Sequence, residues 1–295
     1  MAGRVSVRFV LDPEGADWTS RIMASGFEVG AEGDAWTGHA EGVILDTYEV
    51  SRTTLQHWRQ QAARLVAIVD TECPLAGVDI SIMQWRLACN EAGAGVLWGL
   101  RHALVPRQFA EIADAVWPEL PQHVLVSFGL RDSVNATGLI ISALENLATE
   151  WQPEVTIVAG ARAPHLEAVR KAVDRLGSRG GLVVEADSMI PLLASCDFAI
   201  GAGGISAAER AAAGRPSATL ALNAHQRMVA QALSSCGATL DLGGVESADP
   251  ETLAAALLSL AKDREGRMRM AAAARRAVDG QGARRVADGI LGWQS

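Results

Sequence analysis

Residues 196–216 read C-D-F-A-I-G-A-G-G-I-S-A-A-E-R-A-A-A-G-R-P, an apolar strand that ends in glycines and leads directly into a helix. Gly203 and Gly204 have no Cβ atom, so the backbone can approach an anion closely, and the N–H groups at the start of the helix then face that anion. Ser206 adds a hydroxyl donor. Glu209, one turn into the helix, is placed to accept hydrogen bonds from ribose hydroxyls. A glycine turn of this kind also serves simple chain reversal, and the stretch by itself leaves both interpretations open.

Three other strand ends favour a ligand site over simple chain reversal. They are S-F-G-L-R-D at 127–132, V-A-G-A-R-A-P-H at 158–165 and N-A-H-Q at 223–226. Because the carboxyl ends of parallel strands meet at one edge of a sheet, we expect these turns to face one crevice. The sequence therefore predicts a nucleotide-diphosphate-binding domain over residues 123–241. The predicted ligand contacts are Ser127, Gly129, Asp132, Gly203, Gly204, Ser206, Glu209, His225 and Gln226.

The order of elements along the chain predicts an α/β fold, because short apolar runs alternate with longer segments of helical period. In the first half we predict strands at 5–11, 43–46, 65–69, 78–83 and 95–97, and helices at 18–25, 51–63 and 107–116. In the second half we predict strands at 123–127, 154–158, 181–185, 198–201, 217–222 and 239–242. The helices between them are predicted at 135–149, 164–175, 189–195, 206–213 and 226–235.

Two prolines, Pro118 and Pro121, stand between a predicted helix and the next strand, as in an interdomain linker. We therefore predict two Rossmann-type domains with parallel sheets, a first domain over 1–117, which the resemblance given below makes the sugar-side domain, and a nucleotide-binding domain over 122–295. Two further predicted helices, 250–260 and 264–278, have no strand between them and suit packing on the outside or crossing back to the first domain.

Composition excludes several classes of function. The 295 residues are 49% hydrophobic and 20% charged, an ordinary globular balance, and the net charge of −8 with no Lys or Arg run argues against nucleic-acid binding. No apolar run approaches the roughly 20 residues of a membrane span, so we expect a cytoplasmic location. The four cysteines show no C-x-x-C spacing and predict buried free thiols rather than a zinc site or a disulfide framework. We expect no metal or cofactor.

The second half resembles the GT-B-fold sugar-nucleotide enzymes. Within them it is similar to the UDP-2,4-diacetamido-2,4,6-trideoxy-β-L-altropyranose hydrolases of pseudaminic acid biosynthesis, which are related to the lipid II N-acetylglucosaminyl transferase. The segments that carry the resemblance are S-F-G-L-R-D at 127–132, G-A-R-A-P-H-L at 160–166, A-G-G-I-S-A-A-E at 202–209 and A-H-Q at 224–226. Leu130 replaces a glycine of the family pattern and His225 an asparagine. The resemblance extends to L-W-G-L-R-H-A-L-V-P-R-Q-F at 97–109 and L-D-T-Y at 45–48, where His102 replaces a tyrosine and Thr47 a histidine.

The resemblance implies that the chain hydrolyses a UDP-linked diacetamido-trideoxy sugar to UDP and free sugar, for the modification of flagellin or a surface glycan. It places UDP in the second domain and the sugar at the interdomain cleft, with Tyr48 as the catalytic candidate. A tyrosine that caps a strand is an equal alternative for Tyr48. Two other functions stay open: a GT-B glycosyltransferase that passes the sugar to an acceptor, and a catalytically inactive sugar-nucleotide-binding protein.

One motif of that family does not occur in the sequence. The family opens with a strand followed by G-x-G-H-x-x-R, whose histidine is its proposed catalytic residue, whereas here the opening strand leads to D-P-E-G at 12–15. We therefore expect the first domain to lack its first βα unit, either because the true start lies upstream or because the activity has been lost. His39 is expected in a surface loop, and His57 and His123 in structural or exposed positions. His165 and His225 are the expected ligand-contacting histidines.

Overall fold

The structure is a computed structural model that describes residues 6–11, 19–31, 40–46, 51–70, 73–86, 95–114, 116–147 and 149–292. The described residues form an α/β fold in which the strands of the largest sheet, and the neighbouring strands β1 with β2, β4 with β5 and β5 with β6 defined below, pair in parallel. The strands are β1 Arg8–Leu11, β2 Glu28–Ala31, β3 Val43–Asp46, β4 Leu65–Ile68, β5 Ile80–Met83, β6 Val96–Trp98, β7 His123–Ser127, β8 Glu154–Ala159, β9 Gly180–Val184, β10 Phe198–Gly201, β11 Ser217–Ala221 and β12 Leu240–Gly244. The α-helices are α1 Thr19–Ala24, α2 Arg52–Gln61, α3 Ala136–Glu145, α4 Leu166–Arg175, α5 Ile190–Ser195, α6 Ile205–Ala212, α7 Ala224–Ser235, α8 Pro250–Lys262, α9 Arg264–Ala277 and α10 Gly282–Gly292.

The strands form three sheets. The largest has six strands in the order β12-β11-β10-β7-β8-β9, the second has four in the order β3-β4-β5-β6, and β1 pairs with β2. The Cα positions divide the chain into two compact units, one of Met1–Val43 with Ser51–Leu65 and the other of Ile44–Val50 with Val66–Ser295. The second unit contains the whole six-stranded sheet. The domain boundaries at 117 and 122 remain a prediction.

Helices cover both faces of the six-stranded sheet. Along β7, Val124 and Val126 contact the apolar cluster of α3, α4 and α8, whereas Leu125 contacts the cluster of α5, α6 and α7. All three side chains are at most 2% exposed. A strand that is buried on both faces has a continuous run of apolar residues in the sequence. For this reason the predicted bounds of β7, β8, β10 and β11 agree with the observed bounds to within one residue.

The helix predicted at 107–116 is wrong. Only Arg107–Phe109 forms one turn of 3-10 helix. The carbonyls that would continue a helix accept hydrogen bonds from distant side chains instead: Ala110 from Arg275 at 3.1 Å and Ala113 from Arg215 at 3.1 Å. Tertiary hydrogen bonds have replaced the helical ones.

Strand β2 and helix α10 were not predicted. Glycines weaken the helical pattern of α10, but two of them allow close packing: a Cβ on Gly282 would lie 2.1 Å from the Ala103 carbonyl oxygen, and one on Gly289 would lie 2.8 Å from Leu97. Val286 of α10 packs in a cluster with Ile80 and Ile82 of β5. It is therefore α10, and not the two helices before it, that returns to the four-stranded sheet.

The expectation of buried cysteines holds for one position of three. Cys196 is buried, and burial raises the pKa of its thiol to about 12, whereas Cys73 and Cys236 are exposed, which corrects the prediction. Cys236 follows the last turn of α7, where the chain reaches the surface. Cys89, and also Tyr48 and His39, lie outside the described residues. None of the described helices has the length and apolar character needed to cross a bilayer.

Candidate nucleotide-binding site

The six-stranded sheet has a topological switch point between β7 and β10. From β7 the chain proceeds outward to β8 and β9, and it then returns to β10 on the other side of β7. Ser127 and Gly201, the last residues of the two strands, are partners in the parallel register. Loops that leave such a pair diverge to opposite faces and open a crevice, the usual ligand position in this class of sheet. The two glycine turns predicted from the sequence therefore lie side by side.

The two glycines before α6 have different surroundings. A Cβ on Gly203 would lie 2.3 Å from the backbone oxygen of Gln226, so this glycine is needed for contact with α7. A Cβ on Gly204 would meet nothing within 4 Å. Gly204 immediately precedes Ile205, where the first N–H groups have no acceptor within the helix and carry its positive dipole end. The open space at Gly204 thus adjoins an anion-attracting helix end.

Arg210 fixes the position of the glycine turn between β10 and α6 through hydrogen bonds inside the fold. Its side chain is buried and donates hydrogen bonds to the Ala202 carbonyl at 2.9 Å and to the Thr219 hydroxyl at 3.1 Å. Burial lowers the pKa of Arg210 to about 10, which still leaves it charged at neutral pH. It also contacts the Ser206 hydroxyl oxygen at 3.5 Å, and the hydroxyl proton of Ser206 stays available to a ligand.

Glu209 is a half-buried carboxylate beside the turn. Burial raises its pKa, and the neighbouring Arg210 offsets part of that rise. Keeping a carboxylate in such a place costs stability unless hydrogen-bond donors compensate. A ligand with hydroxyl donors, such as a ribose, would supply them.

The turn after β7 is built around Asp132. Its carboxylate accepts hydrogen bonds from the N–H groups of Ala136 at 2.8 Å and Thr137 at 2.9 Å, at the start of α3. Asp132 is 8% exposed, so both oxygens serve the helix, and its role as a substrate contact remains a prediction. Gly129 has a φ of +83° with open space around its Cβ position, which leaves the backbone of this turn accessible.

The third turn packs against the second. A Cβ on Gly160 would lie 2.2 Å from the Leu130 carbonyl oxygen, so only glycine permits the contact. The Nε2 atom of His165 lies 3.1 Å from the Ser133 carbonyl oxygen. His165 therefore supports the turn, and its predicted ligand contact would be made by the rest of the ring.

The first turn of α7 lies at the same carboxyl edge of the six-stranded sheet as the three turns described above. Asn223 caps the helix by accepting a hydrogen bond from the Gln226 N–H at 2.9 Å. The Oε1 atom of Gln226 accepts from the Leu222 N–H at 3.0 Å, so the ligand contact predicted for Gln226 would have to come from its amide NH₂. His225 lies with its Nε2 atom 3.4 Å from the Oδ2 atom of Asp70.

Asp70 and Asp46 are residues that the sequence did not single out. Asp46 ends β3 and Asp70 follows β4 by two residues, so both stand at the carboxyl edge of the four-stranded sheet. Burial raises the pKa of each carboxyl; the proximity of Asp70 raises that of Asp46 further, whereas His225 and a hydrogen bond from Trp85 partly lower that of Asp70. The available signal was a carboxylate at or within two residues of the end of each of two adjacent apolar strands. In the described residues no group of three or more His, Cys, Asp or Glu is arranged to hold a metal.

Comparison with known proteins identifies the fold. No protein-family profile matches the chain. Acinetobacter baumannii MurG has a TM-score of 0.69 at 15% identity and covers 98% of this chain and 91% of its own. A structure of S. aureus MnaA with UDP has a TM-score of 0.62 at 11% identity, with 97% and 96% covered. The fold is of the GT-B type. At these identities the likeness concerns the fold alone.

A sequence relative adds a biological context. The spore coat polysaccharide biosynthesis protein SpsG of Bacillus subtilis is 29% identical over 165 residues, which are 56% of this chain. The match covers 48% of SpsG, so the chain spans about half the length of this relative.

Proposed function

We propose that the chain binds UDP at the switch point of the six-stranded sheet and hydrolyses a UDP-linked diacetamido-trideoxy sugar to UDP and free sugar. UDP binding is proposed mainly because the space at the Cβ position of Gly204 is empty. That space adjoins the positive end of α6 and lies beside the turn after β7. The diphosphate would contact Gly203, Gly204 and Ser206. Glu209, one turn along the same helix, would accept the ribose hydroxyls.

The comparisons support this choice of ligand. S. aureus MnaA was solved with UDP, and a spinosyn rhamnosyltransferase of similar fold, with a TM-score of 0.51, was solved with thymidine diphosphate. SpsG is named for polysaccharide biosynthesis, which supports a sugar nucleotide as the substrate. The hydrolytic outcome is supported by the resemblance of residues 45–48, 97–109, 127–132 and 202–209 to the pseudaminic acid hydrolases.

The proposed reaction makes modest chemical demands. Water adds to the anomeric carbon, the bond from that carbon to the β-phosphate oxygen breaks, and both electrons of that bond leave with UDP. The N–H groups of α6 offset the charge that develops on the diphosphate. The proton lost by the water needs an acceptor, and we propose Asp46, whose pKa is raised by partial burial of the carboxylate and by the neighbouring Asp70. A base with a pKa closer to the working pH is the more effective one. Tyr48 stands two residues further on and stays a prediction.

Measuring UDP release from the diacetamido sugar nucleotide, with and without a sugar acceptor, tests the reaction. Hydrolysis predicts release without an acceptor and one free sugar per UDP, detected by NMR. Asp46→Asn should lower kcat by about 10²-fold or more, the usual contribution of a general base, and leave UDP affinity unchanged. Release only with an acceptor would indicate a glycosyltransferase, and UDP binding without turnover would indicate an inactive binding protein. Either result would contradict the hydrolase proposal.

The preference of the site for uridine over adenosine is tested by measuring how much each nucleotide stabilises the folded protein. A ligand at 100 times its Kd raises the free energy of unfolding by about 2.7 kcal/mol. We expect UDP to raise the melting temperature at a lower concentration than ADP. Equal effects of UDP and ADP would count against a uridine site.

A further inference from the structure

We propose that Arg210 is a positioning residue for the diphosphate: its buried positive charge attracts the anion, and its hydrogen bonds orient the turn that binds it. This proposal rests on the nucleotide site proposed above. The guanidinium acts from inside the fold, through the Ala202 carbonyl and the Ser206 hydroxyl. It adds a positive charge to a turn that otherwise offers N–H groups and one hydroxyl.

The guanidinium of Arg210 lies directly behind the two paired strand ends at the switch point. A Cβ on Gly201 would lie 2.7 Å from the Nη1 atom of Arg210 and 2.3 Å from the Ser127 carbonyl oxygen. Gly201 and Ser127 are partners in the parallel register, so the guanidinium lies where the turns after β7 and β10 begin. Its Nη2 atom donates to the Ala202 carbonyl at 2.9 Å, and Nη1 donates to the Ser206 hydroxyl oxygen at 3.5 Å. The positive charge therefore lies immediately behind the turn proposed to bind the diphosphate.

A buried hydroxyl network fixes the orientation of the guanidinium. The Nη2 atom of Arg210 also donates to the Thr219 hydroxyl at 3.1 Å, and the hydroxyl oxygens of Thr219 and Thr239 lie 2.8 Å apart. Thr239 in turn donates to the Ser217 carbonyl at 2.9 Å. Because Thr239 gives its proton to this carbonyl, the Thr219 hydroxyl donates to Thr239 and accepts from the guanidinium. All four residues are at most 4% exposed, so the arginine cannot turn toward solvent without leaving buried hydroxyls unpaired.

The positive charge of Arg210 is incompletely compensated. In the part of the chain that the structure describes, its hydrogen bonds go to uncharged oxygens, and its buried Nε–H has no acceptor. Burial lowers its pKa to about 10, so the guanidinium stays charged at neutral pH. Two ionisable groups act on it. Glu209 precedes it on α6, and the thiol of Cys196 is neutral because burial raises its pKa to about 12.

A bound diphosphate supplies the missing negative charge. A buried charge without a paired counter-charge costs stability, and a nearby anion offsets part of that cost. Glu209 contributes one negative charge, and burial raises its own pKa, whereas a diphosphate carries several charges. Because charges are weakly screened inside a protein, the attraction reaches the anion without direct contact. An uncharged nucleoside does not experience this attraction, so Arg210 should favour UDP over uridine.

Calorimetric titration of the full chain with UDP and with uridine tests the role of this charge. The relevant quantity is the ratio of the two affinities, because any change at the ribose, including one that acts through Glu209, affects both ligands alike. Arg210→Gln keeps hydrogen-bond donors and removes the charge. At pH 7 it should weaken UDP binding about tenfold or more and leave uridine binding within about twofold of wild type.

Arg210→Lys separates the charge from the hydrogen bonds. It keeps a charge at neutral pH but loses the planar fork, so its ratio of UDP to uridine affinity should stay within about threefold of wild type at pH 7. A buried ammonium has a lowered pKa, so the ratio should fall relative to wild type as the pH rises to 9 and the lysine loses its proton. A role confined to hydrogen bonds with the turn gives no such pH dependence.

Arg215→Gln is the matched control. Arg215 is also a buried arginine, 1% exposed, and donates to the carbonyls of Leu193 and Ala113. It precedes β11 and therefore lies at the amino edge of the six-stranded sheet, opposite the proposed site. This variant should lower the free energy of unfolding and leave the ratio of UDP to uridine affinity unchanged.

The outcomes separate this proposal from the function on which it rests. A wild-type ratio in Arg210→Gln, or a ratio that is lowered equally in both Arg210 variants and is independent of pH, would overturn the role of the charge and leave the nucleotide site standing. If Arg210→Gln does not fold, Arg210→Lys decides alone: a ratio that is already low at pH 7 and does not change with pH would overturn the proposal. No binding of UDP by wild type would overturn both.

Discussion

Glu209 shows how a single residue links stability to the proposed function. Its carboxylate is half-buried beside the turn that precedes α6, and burial raises its pKa. The folded chain therefore binds this proton more tightly than the unfolded chain does. The free energy of unfolding falls as the pH rises from the unfolded pKa, near 4.5, through the folded value, and at neutral pH the ionised group costs stability.

Glu209→Gln should accordingly raise the free energy of unfolding at pH 7 and weaken UDP binding. The amide removes the buried charge, and it also replaces a charged acceptor of the ribose hydroxyls, a change of roughly 1–3 kcal/mol in UDP affinity. Denaturant unfolding and calorimetry measure the two effects. Glu167→Gln, at a glutamate whose side chain is 83% exposed, should change neither quantity. Unchanged UDP affinity in Glu209→Gln would contradict the ribose assignment.

At the scale of elements, the turn between β10 and α6 combines two requirements on neighbouring residues. Gly203 allows α7 to approach, and Gly204 leaves space at the helix start. The sequence presents both simply as glycines. Substituting each glycine by alanine therefore distinguishes an effect on packing from an effect on ligand binding.

Gly203→Ala should lower the free energy of unfolding by roughly 2–3 kcal/mol, because the new Cβ overlaps backbone atoms of Gln226 that have little room to move. Gly204→Ala should cost less than about 1 kcal/mol, the difference between the two residues at a helix N-cap, and should weaken UDP binding at least tenfold by filling the anion position. Thermal unfolding and UDP titration of both variants provide the comparison. Full UDP affinity in Gly204→Ala would show that the diphosphate binds elsewhere.

At the scale of the whole molecule, arginines of α9 join distant parts of the chain. Arg267 is 1% exposed and donates hydrogen bonds to the carbonyls of Pro118 and Glu119, at 2.5 and 3.1 Å, and to that of Ala261. Arg264 donates to the carbonyl of Trp117 at 2.8 Å. The proline-containing segment before β7 is therefore held by side chains that lie almost 150 residues later.

Arg267→Leu should lower the free energy of unfolding by about 3 kcal/mol, because buried carbonyl oxygens lose charged donors. Arg269→Leu on the same helix is the control: Arg269 is 69% exposed and forms surface ion pairs with Asp263 and Glu265, which contribute about 1 kcal/mol or less. Urea unfolding of both variants measures the difference. Equal losses would show that the hydrogen bonds of Arg267 add no stability.

Elements that depend on a local sequence pattern were predicted correctly, and elements that depend on contacts with distant residues were not. The second half was predicted almost element by element, because each βα unit there has a continuous apolar strand, a glycine or asparagine turn and a helix of clear period. The helix predicted at 107–116 is wrong, because Arg215 and Arg275 take up the carbonyls that would continue it. Helix α10 was not predicted, because it contains glycines that are explained only by its close contacts with Ala103 and Leu97.

The sequence by itself determined the fold class and the location of the glycine turn before α6, because both depend on the local order of apolar, glycine and helical residues. Only the tertiary structure decided which glycine leaves open space, that Asp132 serves α3, and that Asp70 meets His225. The physical reason is that strand order and the contacts between sheets bring together residues 155 positions apart in the chain, and no local pattern records such a pairing.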